Sequence, residues 1–164
     1  MVLNMKCENQ ETRCEIIAST LIIREARQED IAMLWEFLQP YSDHENAFMK
    51  RVSLKMSDTD HHIAIAMTGA QIVGYAWVQD YGAHVRTGFK TARFHDLIVA
   101  EPWRMRGIGR ELFQSVKSWS QHRGVRWLQW EASPKAVVFY ERIGLTGDPC
   151  PQPDYQFFEI EFTL

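Results

Sequence analysis

The stretch "RMRGIGREL", Arg104 to Leu112, sets two glycines among three arginines and then opens an apolar helical pattern. Glycine lets backbone approach a ligand closely, and the first turn of a helix carries N–H groups with no intrahelical acceptor. A strand-like run, "FHDLIVAEP", stands directly before it, so the chain passes from a strand through Glu101-Pro102-Trp103 into a helix that opens near Gly107-Ile108-Gly109. That geometry aims several N–H groups at one point and suits an anion such as a diphosphate. Two common phosphate motifs do not fit. A P-loop needs Lys and Ser/Thr after its last glycine, where this chain has Arg110 and Glu111, and a dinucleotide fingerprint needs a small residue where Leu112 stands.

Working outward from this turn, strands and helices alternate irregularly. "TLIIREA" (Thr20 to Ala26) reads as a first strand, and Ile31, Leu34, Trp35 and Leu38 at helical spacing predict an amphipathic helix closed by Pro40. A second helix is expected through "HENAFMKRVSLKM", with Asp43 as its N-cap. "HHIAIAMTGAQIVGYAWVQDYG" gives two strands broken at Thr68-Gly69, and "ARFHDLIVA" a fourth strand after a polar, basic loop, "AHVRTGFKT". Ile108, Leu112, Val116 and Trp119 share one helical face ending near Gly124; "VRWLQWEA" is a strand, "PKAVVFYERIG" a helix with Pro134 at its start, and "YQFFEIEF" a last strand. The order is βααβββαβαβ, an α/β (α+β) arrangement. Residues 1–19 are read as an N-terminal extension and 20–164 as a single domain, a size at which one sizeable core can be buried.

The turn and its context resemble motif A of the GNAT N-acetyltransferase superfamily, whose signature is Gln or Arg, two residues, Gly, one residue, then Gly or Ala; Arg104, Gly107 and Gly109 match it in place. "SPKAVVFYERIGL" looks like the family's motif B, and the element order agrees from about Leu21 to Phe162, with "WEASPKAVVFYERIG" most similar to small-amine and diamine acetyltransferases. The resemblance implies a mostly antiparallel mixed sheet of six to seven strands flanked by about four helices, with a V-shaped cleft between strands four and five. It also implies acetyl-CoA as co-substrate. Leu97, Ile98 and Val99 would pair with the pantetheine arm, and the backbone of Arg104, Met105, Arg106, Gly107, Ile108, Gly109 and Arg110 would hold the pyrophosphate. Ser133 stands where many relatives carry an Asn that contacts pantetheine or local backbone; a hydroxyl keeps hydrogen-bonding capacity but loses the amide's reach.

By the same resemblance, a primary amine attacks the thioester directly in a ternary complex, and Tyr140 protonates the departing thiolate. An amine protonated at neutral pH must first lose a proton. His95 on the fourth strand and Glu131 at the end of the fifth are the candidate acceptors, ahead of Asp96, which the period of two turns to the opposite face from His95. Tyr41, Asp43, His44, Glu45, Tyr81 and His84 would wall the acceptor site and Asp154, Tyr155 and Phe157 floor it; if Asp43, Glu45, Glu131 and Asp154 converge, a cationic small amine is favoured. The basic loop with Arg86, Lys90 and Arg93 leaves open an acidic protein or a substrate carboxylate. Protein acetylation and a non-catalytic acyl-CoA-binding module are the alternatives.

Composition bounds these readings. A net charge of −3 argues against a general nucleic-acid binder. Cys7, Cys14 and Cys150 have no metal-ligand spacing, and their odd number disfavours a disulfide scaffold, so no metal is expected. With no apolar run long enough for a bilayer and no signal-like core near Met1, the expectation is a cytoplasmic protein without membrane association. Phe158, Ile160 and Phe162, on one face of the last strand, either extend a sheet across a homodimer or close the core of one subunit.

Overall fold

The structure is a computed structural model, described here for residues 20–147. Five strands form one sheet in sequence order: β1 (Leu21–Glu25), β2 (His61–Thr68), β3 (Gln71–Ala83), β4 (Lys90–Val99) and β5 (Val125–Gln129). Four helices accompany them: α1 (Ile31–Leu38), α2 (Glu45–Ser57), α3 (Ile108–His122) and α4 (Pro134–Arg142). The first three strand pairings are antiparallel and β4–β5 is parallel. The sheet is mixed and mostly antiparallel, as expected, with five strands among the described residues rather than six or seven. The expected last strand lies outside those residues.

The chain divides into two compact units, one ending at Trp130 and the other beginning at Glu131. In the first, every residue of β2 is buried, which explains its unbroken apolar run. Its two faces nevertheless differ. Ile63, Ile65 and Met67 join Leu34, Leu38, Phe48 and Tyr75 in a core beneath α1 and α2. The middle of the other face is small: Ala64 lies opposite Ala76, and Ala66 opposite Gly74. That shallow face seats α3, whose Ile108, Leu112, Phe113 and Val116 are buried. A Cβ on Gly74 would stand 2.9 Å from Leu112 Cδ1 and 3.3 Å from Ile108 Cγ2, so a missing side chain on β3 sets how closely the start of α3 approaches the sheet.

The polar residues that are buried in this unit are tied down. Asp30 takes two bonds from the Arg24 guanidinium (2.6 and 2.8 Å) and one from the Arg27 N–H (2.7 Å). Asp80 accepts from Arg123 Nε (2.9 Å), the Gly82 N–H (2.8 Å) and Lys90 Nζ (3.2 Å), joining β3 and β4 to the residue that follows α3. Two local expectations change. The N-cap of α2 is His44, because the Asp43 carboxylate is drawn onto Arg51 instead (3.0 and 2.5 Å). The basic loop is shorter than expected, since β3 runs on to Ala83 and β4 starts at Lys90.

Candidate functional site

The strand pair that frames the site parts early. β4 and β5 are in register only from Lys90↔Val125 to Arg93↔Gln129, after which β5 ends and β4 continues through Phe94 to Val99 without it. The edge of β4 that faced β5 is thereby left open over Leu97, Ile98 and Val99, the mouth of a V between the two strands. An aromatic trio, Phe94, Phe113 and Trp130, with centroids 5.5–5.9 Å apart, fills the α3 side of this divergence.

Beyond Val99 the chain makes a 3-10 turn at Glu101–Trp103 and enters the glycine segment. Arg104 Nε donates to the Val99 carbonyl at 3.0 Å, pinning the segment to the strand end. Met105 and Gly107 both have positive φ, 60° and 82°. A glycine is required at 107 for that conformation and not for space, since a Cβ there would meet nothing within 4 Å. The hydrogen-bond ladder of α3 begins with the Glu111 N–H donating to the Gly107 carbonyl (3.1 Å), so the N–H groups of Ile108, Gly109 and Arg110 precede it. Arg104, Arg106 and Arg110 are exposed around this cradle, Arg106 lying over the Trp103 ring at 4.9 Å. Open N–H groups, positive helix end and three cations fit a diphosphate.

On the α1–α2 face of β4, a hollow of about 270 Å³ is lined by Tyr41, Arg51, Lys55, Tyr75, Trp77, Asp96 and Ile98, among others. A neighbouring hollow of about 500 Å³ shares Tyr41 and Ile98 with it. Asp96 reaches this face through a register shift. Val78 pairs with Phe94 but the adjacent Trp77 pairs with Asp96, so His95 is an extra residue in β4, a bulge. The alternation of two therefore fails there, and the expectation that His95 and Asp96 diverge is overturned: His95 stacks on Trp77 (4.0 Å, 15°) while Asp96 lines the hollow beside the same tryptophan.

Their environments differ. Burial, with the nearby Arg93 charge, lowers the pKa of His95, and its Nε2 is buried without a hydrogen-bond partner among the described residues. Partial desolvation raises Asp96, which accepts no hydrogen bond among the described residues. On the far side of Trp77, the indole N–H donates to His61 Nδ1 (3.2 Å), and His61 Nε2 lies 3.1 Å from Lys55 Nζ. The other expected wall residues serve elsewhere. Asp43 is engaged by Arg51, Glu45 is exposed on the first turn of α2, and His84 Nδ1 faces the N–H groups of Arg86 and Thr87 in the β3–β4 loop. Asp154, Tyr155 and Phe157 lie outside the described residues.

A family model described as "Acetyltransferase (GNAT) domain" matches residues 24–155. The chain belongs to the GNAT acetyltransferase family. No curated protein matches it. Among solved structures, this N-acetyltransferase is similar to an acetyltransferase from Trypanosoma brucei (17% identity, 87% of this chain and 100% of that one, TM-score 0.70). It is also similar to glucosamine-6-phosphate N-acetyltransferase from Arabidopsis thaliana (20%, 85% and 99%, 0.67) and to an aminoglycoside N-acetyltransferase in complex with CoA (16%, 88% and 96%, 0.72). At such identities the likeness carries the fold.

The second unit of the acetyltransferase holds the remaining expected residues. Glu131 is exposed just after β5, and Ser133 is the N-cap of α4, its carbonyl accepting from the N–H groups of Ala136 and Val137. Tyr140 lies on α4 edge-on to Phe139 (5.0 Å), and burial pushes its phenol up to about 12. Sequence reasoning missed Lys55, Arg51 and Trp77. Arg51 and Lys55 are four apart on one helix, and Tyr75 and Trp77 two apart on one strand, so periodicity held that signal; the hollow they share comes only from tertiary packing. Among the described residues no cluster of His, Cys, Asp or Glu is arranged to hold a metal, and no helix is long and apolar enough to cross a membrane.

Proposed function

We propose that this acetyltransferase moves the acetyl group of acetyl-CoA to a primary amine of a small molecule by direct attack in a ternary complex. The observation that carries the reading is the β4 edge left open where β5 ends, running straight into the Arg104–Arg110 cradle. Pantetheine pairs with Leu97–Val99 and the pyrophosphate takes the N–H groups at the start of α3. The acceptor occupies the hollow beside Trp77 and Asp96, which is of small-molecule size.

In the reaction the ammonium loses one proton and the amine nitrogen attacks the thioester carbon; the C–N bond forms, the C–S bond breaks, the sulfur leaves as thiolate, and the nitrogen sheds its second proton, which balances the one that Tyr140 gives to the sulfur. Tyr140 donates to that sulfur, the role its motif implies. Asp96, which lines the hollow, and His95, stacked on the same Trp77 and kept neutral by its lowered pKa, are the proton acceptors of this reading, and Glu131 is the third candidate on its motif position. The aminoglycoside and glucosamine-6-phosphate enzymes named above are, by their names, small-molecule acetyltransferases, which agrees with this reading.

The decisive experiment pairs calorimetry with thiol release. Gly109→Glu, confirmed folded, should abolish acetyl-CoA binding, because a carboxylate at the start of α3 occupies the place of the pyrophosphate and repels it. Unchanged affinity would reject the cradle. In the wild type, thiol release should appear with small amines and not with peptides; the reverse would assign it to protein acetylation, and tight acetyl-CoA binding without any turnover to a binding module.

A further inference from the structure

The hollow beside β4 has an unusual charge arrangement. The Asp96 carboxylate lies in it with no hydrogen bond or ion pair among the described residues. Lys55 lines the same hollow, and its Nζ faces only His61 Nε2 and the Trp77 ring (5.8 Å); no carboxylate lies within 4 Å among the described residues. Arg51, one helical turn before Lys55, is oriented by Asp43, which takes one N–H from each terminal nitrogen and leaves the others available. The two signs share one small space without neutralising each other. Apolar groups such as Phe48, Val52, Ile63 and Ile98 supply the rest of the lining.

A dication would meet one carboxylate and two cations here, and a neutral monoamine would leave Lys55 unsatisfied. A ligand with a positive and a negative end matches both, because each charge lining the hollow then has a partner of opposite sign. We infer that the acceptor is an amine that also carries an anionic group, carboxylate or phosphate, its ammonium drawn to Asp96 and its anion to Lys55 and Arg51. Asp96 directly precedes Leu97–Val99, the edge assigned to pantetheine, so the amine end is the one brought to the thioester. The inference rests on the small-amine reading and names the class of amine.

The test uses two pairs of acceptors that differ only in the anion, L-phenylalanine against L-phenylalaninamide and glucosamine 6-phosphate against glucosamine. Each is assayed with the full chain by thiol release, on the concentration of free amine. In at least one pair kcat/KM should be about tenfold or more higher for the anionic member, the scale of one charge-assisted hydrogen bond; which pair responds tells carboxylate from phosphate. Lys55→Met should erase the gap through the acceptor's KM, with the KM for acetyl-CoA unchanged, and Lys55→Arg should restore most of it. Arg51→Met, at an exposed position, reads the same anion if Lys55→Met proves unfolded. Neutral members equal or better in both pairs, or a gap that survives in Lys55→Met and Arg51→Met, would overturn the inference while leaving the small-amine reading intact. Acetyl-CoA binding without turnover of any amine would overturn both.

Discussion

A phenol pushed up to about 12 keeps its proton through the neutral range, so Tyr140 meets the departing sulfur as a donor. Tyr140→Phe removes that donor and keeps the ring. Turnover should fall about tenfold or more while acetyl-CoA affinity, measured by calorimetry, stays within a factor of two; an unchanged kcat would leave protonation to water. The proton acceptor is a separate question. His95 is lowered by burial and Asp96 raised by it, which brings an imidazole and a carboxylate, groups with reference values near 6.5 and 3.9, closer together. The pH–rate profile alone will therefore not name the base. Comparing His95→Gln, Asp96→Asn and Glu131→Gln should, since the variant that lacks the base loses the rising limb as well as rate. If all three keep the limb, the amine's own deprotonation sets it.

At the scale of elements, the anion cradle is only as well placed as α3, and α3 is seated on the strip of small residues formed by Ala64, Ala66, Gly74 and Ala76. Gly74→Val would drive methyl groups into Leu112 and Ile108, both fully packed. Overpacking of this kind costs about 1–3 kcal/mol, and because Ile108 begins the helix, the loss should appear both as a lower midpoint in denaturant and as weaker acetyl-CoA binding. A variant destabilised yet binding normally would show that the cradle holds its shape independently of that seat. The elements themselves were legible: α1 and α3 from apolar spacing, the β2–β3 hairpin from Thr68-Gly69, the cradle from Arg104, Gly107 and Gly109. The bulge at His95 was not. "FHDLIV" alternates no differently from a regular strand, and the slip is decided by which β3 residue each side chain meets, so Asp96 was assigned to the wrong face and the hollow it lines went unseen. Lys55 was hidden for a related reason, since a lysine on an exposed-looking helix reads as solvated until the strand beneath it is known.

For the whole molecule, proton uptake couples stability to pH through groups that the first unit buries. Burial lowers His61 and His62, the latter held between Glu25, Ser115 and the stacked Trp119 ring. Asp30 is lowered by the Arg24 guanidinium; Asp80 is raised by burial but lowered further by Arg123, the Gly82 N–H and Lys90, with a net fall. In every one of these the folded pKa lies below the unfolded value, so the unfolded chain binds more protons on acidification and stability must fall with pH. The sign is shared but the windows are not. The histidine contribution is complete above about pH 6.5 and is lost below it as pH falls towards their folded values, whereas the aspartate contribution persists to about pH 4 and is lost below that. Thermal midpoints measured from pH 8 to pH 3 should therefore descend in two stages. His62→Gln, which cannot take up the proton, should flatten the upper stage and leave the lower one, and Asp80→Asn should do the opposite, at the cost of leaving Arg123 and Lys90 without their shared carboxylate. A midpoint constant between pH 7.5 and pH 5 would mean that the buried imidazoles ionise as readily folded as unfolded, and the packing of His62 against Trp119 would then have to be looser than the stacked geometry implies.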